Sequence, residues 1–176
     1  RAAALLRDPC GARIRGDRIT ISTVGLPPMI DRYTDEGHPY RLILSLTSAF
    51  GEKRARLVPI GRRYDVPELV AAMRRHAAAR GGPVNLAWVL IAGFNTGPEE
   101  ARELARLFKG MRVRLSVIDV NDPTGQYRRA DDAERLCGIP GAIAGRLGRH
   151  DRHLAGPGES RGELGQEALH AARRGR

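Results

Sequence analysis

The chain has 176 residues, 41% of them hydrophobic, with a formal net charge of +10 and a pI near 10.8, which suits one globular domain with a real core. Its longest nearly apolar run, "VNLAWVLIAGF", is about half of the roughly 20 residues that a membrane span requires, so a transmembrane helix is excluded. Cys10 and Cys137 stand far apart and isolated, which excludes a disulfide framework or a metal knuckle and makes a reducing cytoplasm the expected compartment.

From Arg18 to about Ile118, strand-like and helix-like periods alternate, the pattern of a parallel α/β architecture. Four strands are predicted: "RITISTV" at 18–24, "YRLILSL" at 40–46, "VNLAWVLI" at 84–91 and "VRLSVID" at 113–119. Each is rich in Val, Ile and Leu, as strands covered by helices on at least one face should be. Between the first two, "PPMIDRYTDEG" predicts only a short helix or turn. In "DVPE", Asp65 and Glu68 stand three apart as an N-cap and its reciprocal partner, with Leu69, Val70, Met73 and Ala77 on one helix face behind them. In "TGPE", Thr96 and Glu99 predict the same device, followed by Ala101, Leu104, Ala105 and Phe108 at helical spacing. Past about Leu136, Gly, Arg and small residues dominate, so residues 1–136 are expected to form the folded part and 137–176 a flexible tail.

In parallel α/β folds ligands bind beyond the carboxyl ends of the strands. The residues there are small and polar: Ser22, Thr23 and Gly25; Ser45, Thr47 and Ser48; Asn95; then Ser116, Asp119 and Asn121. Together they would form a rim of hydroxyls and amides suited to a nucleoside or amino-acid ligand, although the same residue types also serve any strand that turns into a loop. "VGLPPM" has neither the spacing nor the Lys of a phosphate loop, so dinucleotides and nucleoside triphosphates are not expected. "HDRH" at 150–153 pairs two histidines without a third ligand nearby and reads as a solvated loop.

The charge points to a polyanionic partner, RNA or DNA. Only Lys53 and Lys109 are lysines, however, and arginines beside many Ala and Gly equally fit a GC-rich genome. Lys53, Arg54 and Arg56, then Arg62 and Arg63, precede the first clear helix, where they would either contact the phosphates of RNA or form a solvated face. Trp88 and Phe94 are too few for a base-stacking platform.

The strings "RITISTVGLPPMIDR", "LILSLTSAFGEKRARLVPIGRRYDVPELVAAMRRH", "VNLAWVLIAGFNTGPEEARELARLF" and "VRLSVIDVNDPTGQY" follow one another in an order and spacing that resembles the radical S-adenosylmethionine methyltransferases of adenine C2 in ribosomal and transfer RNA. The likeness covers roughly residues 1–129 and implies that the four strands are the later part of a partial (β/α) barrel. It also implies S-adenosylmethionine contacts at Ser22 in the "STxG" phrase and at Ser45 and Thr47 in "SLTS", with Thr where the family has His. Further contacts would come from Ser116 and Asn121 in "SVIDVND", with Ser116 in place of the family's first Asn. These departures point to a divergent relative.

The same family binds a four-iron cluster through a Cys-x3-Cys-x2-Cys loop and carries a methyl-accepting Cys near its end. Neither appears in these 176 residues, nor does the family's Gly-Glu-Pro phrase. The chain starts at Arg1 rather than Met, so the cluster loop is expected in a longer parent. The sequence therefore supports the cofactor side of a radical S-adenosylmethionine enzyme. Its rivals are a cluster-less relative or fragment that binds RNA through a basic surface, and an unrelated small α/β barrel enzyme.

Overall fold

The computed structural model describes residues 2–137. Helix α1 (Ala2–Arg7) and a 3-10 turn lead into strand β1 (Thr20–Thr23), which is followed by α2 (Pro27–Asp35) and β2 (Arg41–Ser45). Helix α3 (Gly51–Leu57), a second 3-10 turn and α4 (Val66–Arg80) then precede β3 (Val84–Leu90). The order closes with α5 (Pro98–Leu107), β4 (Val113–Asp119) and α6 (Asp132–Cys137). The His150 and His153 pair and residues 138–176 of the Gly- and Arg-rich stretch lie outside the described residues.

Four strands form one sheet in the order β1-β2-β3-β4, every neighbouring pair parallel. All four expected strands are present, a residue or two shorter at the ends for the first three. Sequential order with parallel pairing requires a crossover between each strand and the next, and the helices supply it.

Side-chain alternation divides the sheet into two unlike faces. Leu42 and Leu44 of β2 and Val84, Leu86, Trp88 and Leu90 of β3 are buried in a single cluster with Ile30 of α2, Leu69 and Met73 of α4, and Leu104 of α5. Trp88, the chain's single tryptophan, is fully buried there. The alternate positions, Ser22, Ile43, Ser45, Asn85 and Ser116, lie on the other face and are half-buried or exposed.

Local chemistry explains the best-defined helix. The Glu68 amide donates to Asp65 Oδ1 at 2.8 Å and the Asp65 amide to Glu68 Oε2 at 3.0 Å, the reciprocal capping box expected from "DVPE". Gly81 ends α4 with a φ of 65°, the left-handed conformation that glycine adopts without steric cost. Of the two alternatives for the segment after β1, the structure takes the helix, nine residues long, because Pro27 and Pro28 occupy its tolerant first turn and Ile30 anchors it to the core. One expectation needs correction. The N-cap of α5 is Gly97 and not Thr96, whose side chain is buried. Glu99 folds back over Gly97, into space that a β-carbon would fill, and its carboxylate lies 3.6 Å from Lys53 Nζ. Among the described residues no helix is long and apolar enough to cross a membrane.

Candidate functional site

The sheet register brings the expected serines together. Ser22 pairs with Ile43 across β1 and β2, which places the next position of β2 on that face, Ser45, diagonally beside it. Their hydroxyl oxygens lie 3.2 Å apart, within hydrogen-bond distance. Ser45 is in register with Ala87 of β3, and Ala87 with Ser116 of β4. Three hydroxyls therefore share the face opposite the buried cluster, Ser22 and Ser45 at or next to the ends of their strands and Ser116 midway along β4, with the small Ala87 between two of them. Asn121 stands exposed past the end of β4.

Thr47 lies just beyond β2, and its backbone has a φ of 64°. A β-branched residue in that region is strained. It is also buried, and its carbonyl accepts a 2.6 Å hydrogen bond from Asn95 Nδ2.

Several residues expected on the polar rim are instead structural. Asn95 is fully buried, with both side-chain donors and its oxygen bonded to backbone: Nδ2 also donates to the Val89 carbonyl at 2.7 Å, and Oδ1 accepts from the Ile91 amide at 2.8 Å. Ser48, also fully buried, donates to Glu100 Oε1 at 2.9 Å. Glu100 is the residue that sequence reasoning missed. Its carboxylate has no exposed surface, yet it accepts from the Ala49 amide at 2.8 Å and pairs with Lys53 Nζ at 3.1 Å. Lys53 further donates to the Phe94 carbonyl at 2.8 Å. A buried carboxylate is tolerable only when paired and hydrogen-bonded in this way.

The basic groups divide as well. Arg54 has no exposed surface, which removes its guanidinium from any outer face. It donates to the Val24 carbonyl at the exit of β1 and packs against Gly61, where a β-carbon would lie 2.8 Å from Nη1. Burial holds its pKa below the ordinary arginine value. Arg62 and Arg63 are exposed, and the Arg63 guanidinium lies 5.4 Å from the Tyr64 ring centre. Arg56, also exposed, stacks at 5.3 Å over Phe94.

At the far edge, hydrogen bonds from Arg135 and Arg129 hold the Asp119 carboxyl below the usual carboxylate range. Asp122 is held down similarly by the hydroxyl and amide of Thr124 and the amide of Tyr127. No group of three or more His, Cys, Asp or Glu side chains able to hold a metal ion occurs among the described residues, and Cys10 is exposed.

No protein-family model matches the sequence. Known proteins do resemble it. A probable RNA methyltransferase of an Anaeromyxobacter species is 54% identical over 133 residues, which is 76% of this chain and 39% of that protein. A probable dual-specificity RNA methyltransferase RlmN of Symbiobacterium thermophilum is 41% identical over 131 residues, 73% of this chain and 35% of that protein. Among solved structures, a radical SAM methyltransferase from Sphaerobacter thermophilus superposes with a TM-score of 0.74 at 33% identity, covering 89% of this chain and 45% of the other. The match thus covers 35–45% of the length of these relatives.

Proposed function

Since the chain belongs, over about three quarters of its length, to the RlmN-like radical SAM RNA methyltransferases, we propose that its strand ends form part of an S-adenosylmethionine cradle in an RNA-modifying enzyme. The observation that carries this reading is the 3.2 Å approach of the Ser22 and Ser45 hydroxyls on the face opposite the buried cluster. Hydroxyls that both donate and accept suit the polar groups of a nucleoside or an amino acid, and S-adenosylmethionine presents both. Ser116 extends the row, and the exposed Asn121 follows two residues past the end of β4. Thr47 contributes the turn that ends β2. When bound, S-adenosylmethionine supplies an activated methyl group; these residues bind and orient it.

A four-iron cluster does not fit the residues present. Such clusters take thiolate ligands, and Cys10 and Cys137 are too few. The role proposed for this chain is therefore cofactor binding, with the cluster belonging to a full-length parent.

RNA is the proposed partner, contacted through Arg62 and Arg63, whose exposed guanidinia suit phosphate contacts. A second reading, RNA binding without catalysis, draws on the net charge of +10.

Calorimetric titration of S-adenosylmethionine into the 176-residue chain tests the first reading. Ser22→Ala and Ser45→Ala should each weaken binding about 3- to 10-fold, as expected for loss of one hydrogen bond, without lowering the unfolding midpoint. Unchanged affinity in both variants sinks the cradle. For the RNA contact, affinity should fall steeply as salt rises. A flat salt response, or no loss in an Arg62→Ala, Arg63→Ala double variant, removes the basic loop from the interface.

A further inference from the structure

The sharpest backbone anomaly at the strand ends is Thr47, a buried β-branched residue at a φ of 64°. Such a residue does not choose this region by itself. Its own segment offers one bond across it, from the Ser48 amide to the Leu46 carbonyl, and the side chain in contact with its carbonyl is Asn95, from the loop after β3.

We infer that Asn95 is a positioning residue, which holds the turn at Thr47 after β2 in its strained form and so sets where Ser45 presents itself to the cofactor. The inference rests on the cradle reading for its function, though not for its geometry. Asn95 suits the task because both donors and the oxygen of its amide are engaged. One Nδ2 proton goes to the Thr47 carbonyl at 2.6 Å and the other to the Val89 carbonyl at 2.7 Å, while the Ile91 amide at 2.8 Å fixes the oxygen. A side chain anchored twice to β3 and its exit has no freedom to follow Thr47 if the turn relaxes. The same turn is gripped from its other side. Ser48 and the Ala49 amide bind Glu100 of α5, and the Ser48 amide donates to the Leu46 carbonyl at 2.8 Å. The β2 exit is thus built on the exit of β3 and the start of α5.

A merely structural Asn95 would stabilise the fold equally whatever residue occupied position 47. A positioning Asn95 would matter less once position 47 entered the left-handed region without strain. Four forms of the 176-residue chain separate these cases: the natural sequence, Asn95→Ala, Thr47→Gly, and the double variant. Amide hydrogen exchange at Ser48, without ligand, is the first readout. Asn95→Ala should speed it about tenfold or more in the natural background and clearly less in the Thr47→Gly background. Equal acceleration in both backgrounds overturns the inference. The second readout is S-adenosylmethionine affinity, where the loss on Asn95→Ala should be about tenfold in the natural background and about twofold or less in the Thr47→Gly background. Equal losses also overturn it. If exchange shows the coupling while the natural chain binds no S-adenosylmethionine, the turn is held as inferred and the cradle reading is what fails. Should Asn95→Ala not fold, Asn95→Asp replaces it, since it keeps the acceptor for Ile91 and removes both donors.

Discussion

The strand exits of this sheet are secured by opposite means. At β2 and β3 the ties are buried: Asn95 joins the two exits, and Glu100 gathers Ser48, the Ala49 amide and Lys53. At β4 they are ion pairs between half-buried carboxylates and arginines that reach the surface, with Asp119 between Arg129 and Arg135, and Arg128 against Glu134. Buried bonds are strong because water does not compete, whereas exposed pairs are screened by salt and contribute little. One end of the rim is therefore rigid, and the other answers to its surroundings.

That contrast can be broken by substitution. The largest effect is expected from Glu100→Ala, which strands Ser48, the Ala49 amide and a partly buried ammonium; a loss of about 3 kcal/mol should appear in chemical denaturation. A loss under about 1 kcal/mol would mean that the buried tie is no stronger than a surface pair. Gly25→Ala tests whether the β1 exit belongs with the buried type. Gly25 has a φ of 91°, and a β-carbon there would lie 2.6 Å from a Leu69 methyl, so a cost of about 2 kcal/mol is expected from strain and overpacking.

Asp119→Asn should cost under about 1 kcal/mol, and the difference should shrink in high salt. A cost that salt leaves unchanged would put Asp119 with the buried ties. The smallest effect is a local one with pH. Asp119 and Asp122 both have folded pKa values below the ordinary carboxylate value. Such groups stabilise the fold fully above their unfolded pKa and lose that contribution as pH falls through the folded one. Acidification below the usual carboxylate range should speed amide exchange at Thr124 and Tyr127 before it does so at Ser48. The reverse order would contradict the contrast.

Much of this architecture is legible in the sequence. The four strands announce themselves through Val, Ile and Leu runs, and the start of α4 through Asp65 and Glu68, because both signals are local. Asp131 and Glu134 form a like reciprocal pair at α6, with the same spacing as a signal to find it. The serines are legible as strand-end residues, but their meeting depends on register, which no single strand encodes. Least legible is the fate of polar loop residues. Asn95, Ser48 and Arg54 have the composition of a solvated rim, yet each is buried by neighbours from other segments. Glu100 follows Glu99 in one helical turn, and its helical spacing to Leu104 and Leu107 is the signal that Glu100 rather than Glu99 lies on the buried face.

The burial of Trp88 has an optical consequence. As the chain's single indole, fully enclosed on the helix-covered face of β3, it should emit in the blue while the core is intact and shift to the red when water reaches it. Its fluorescence therefore gauges the core alone. Loosening at the β4 exit should leave the emission unchanged, so that a local opening and a global melt carry different colours.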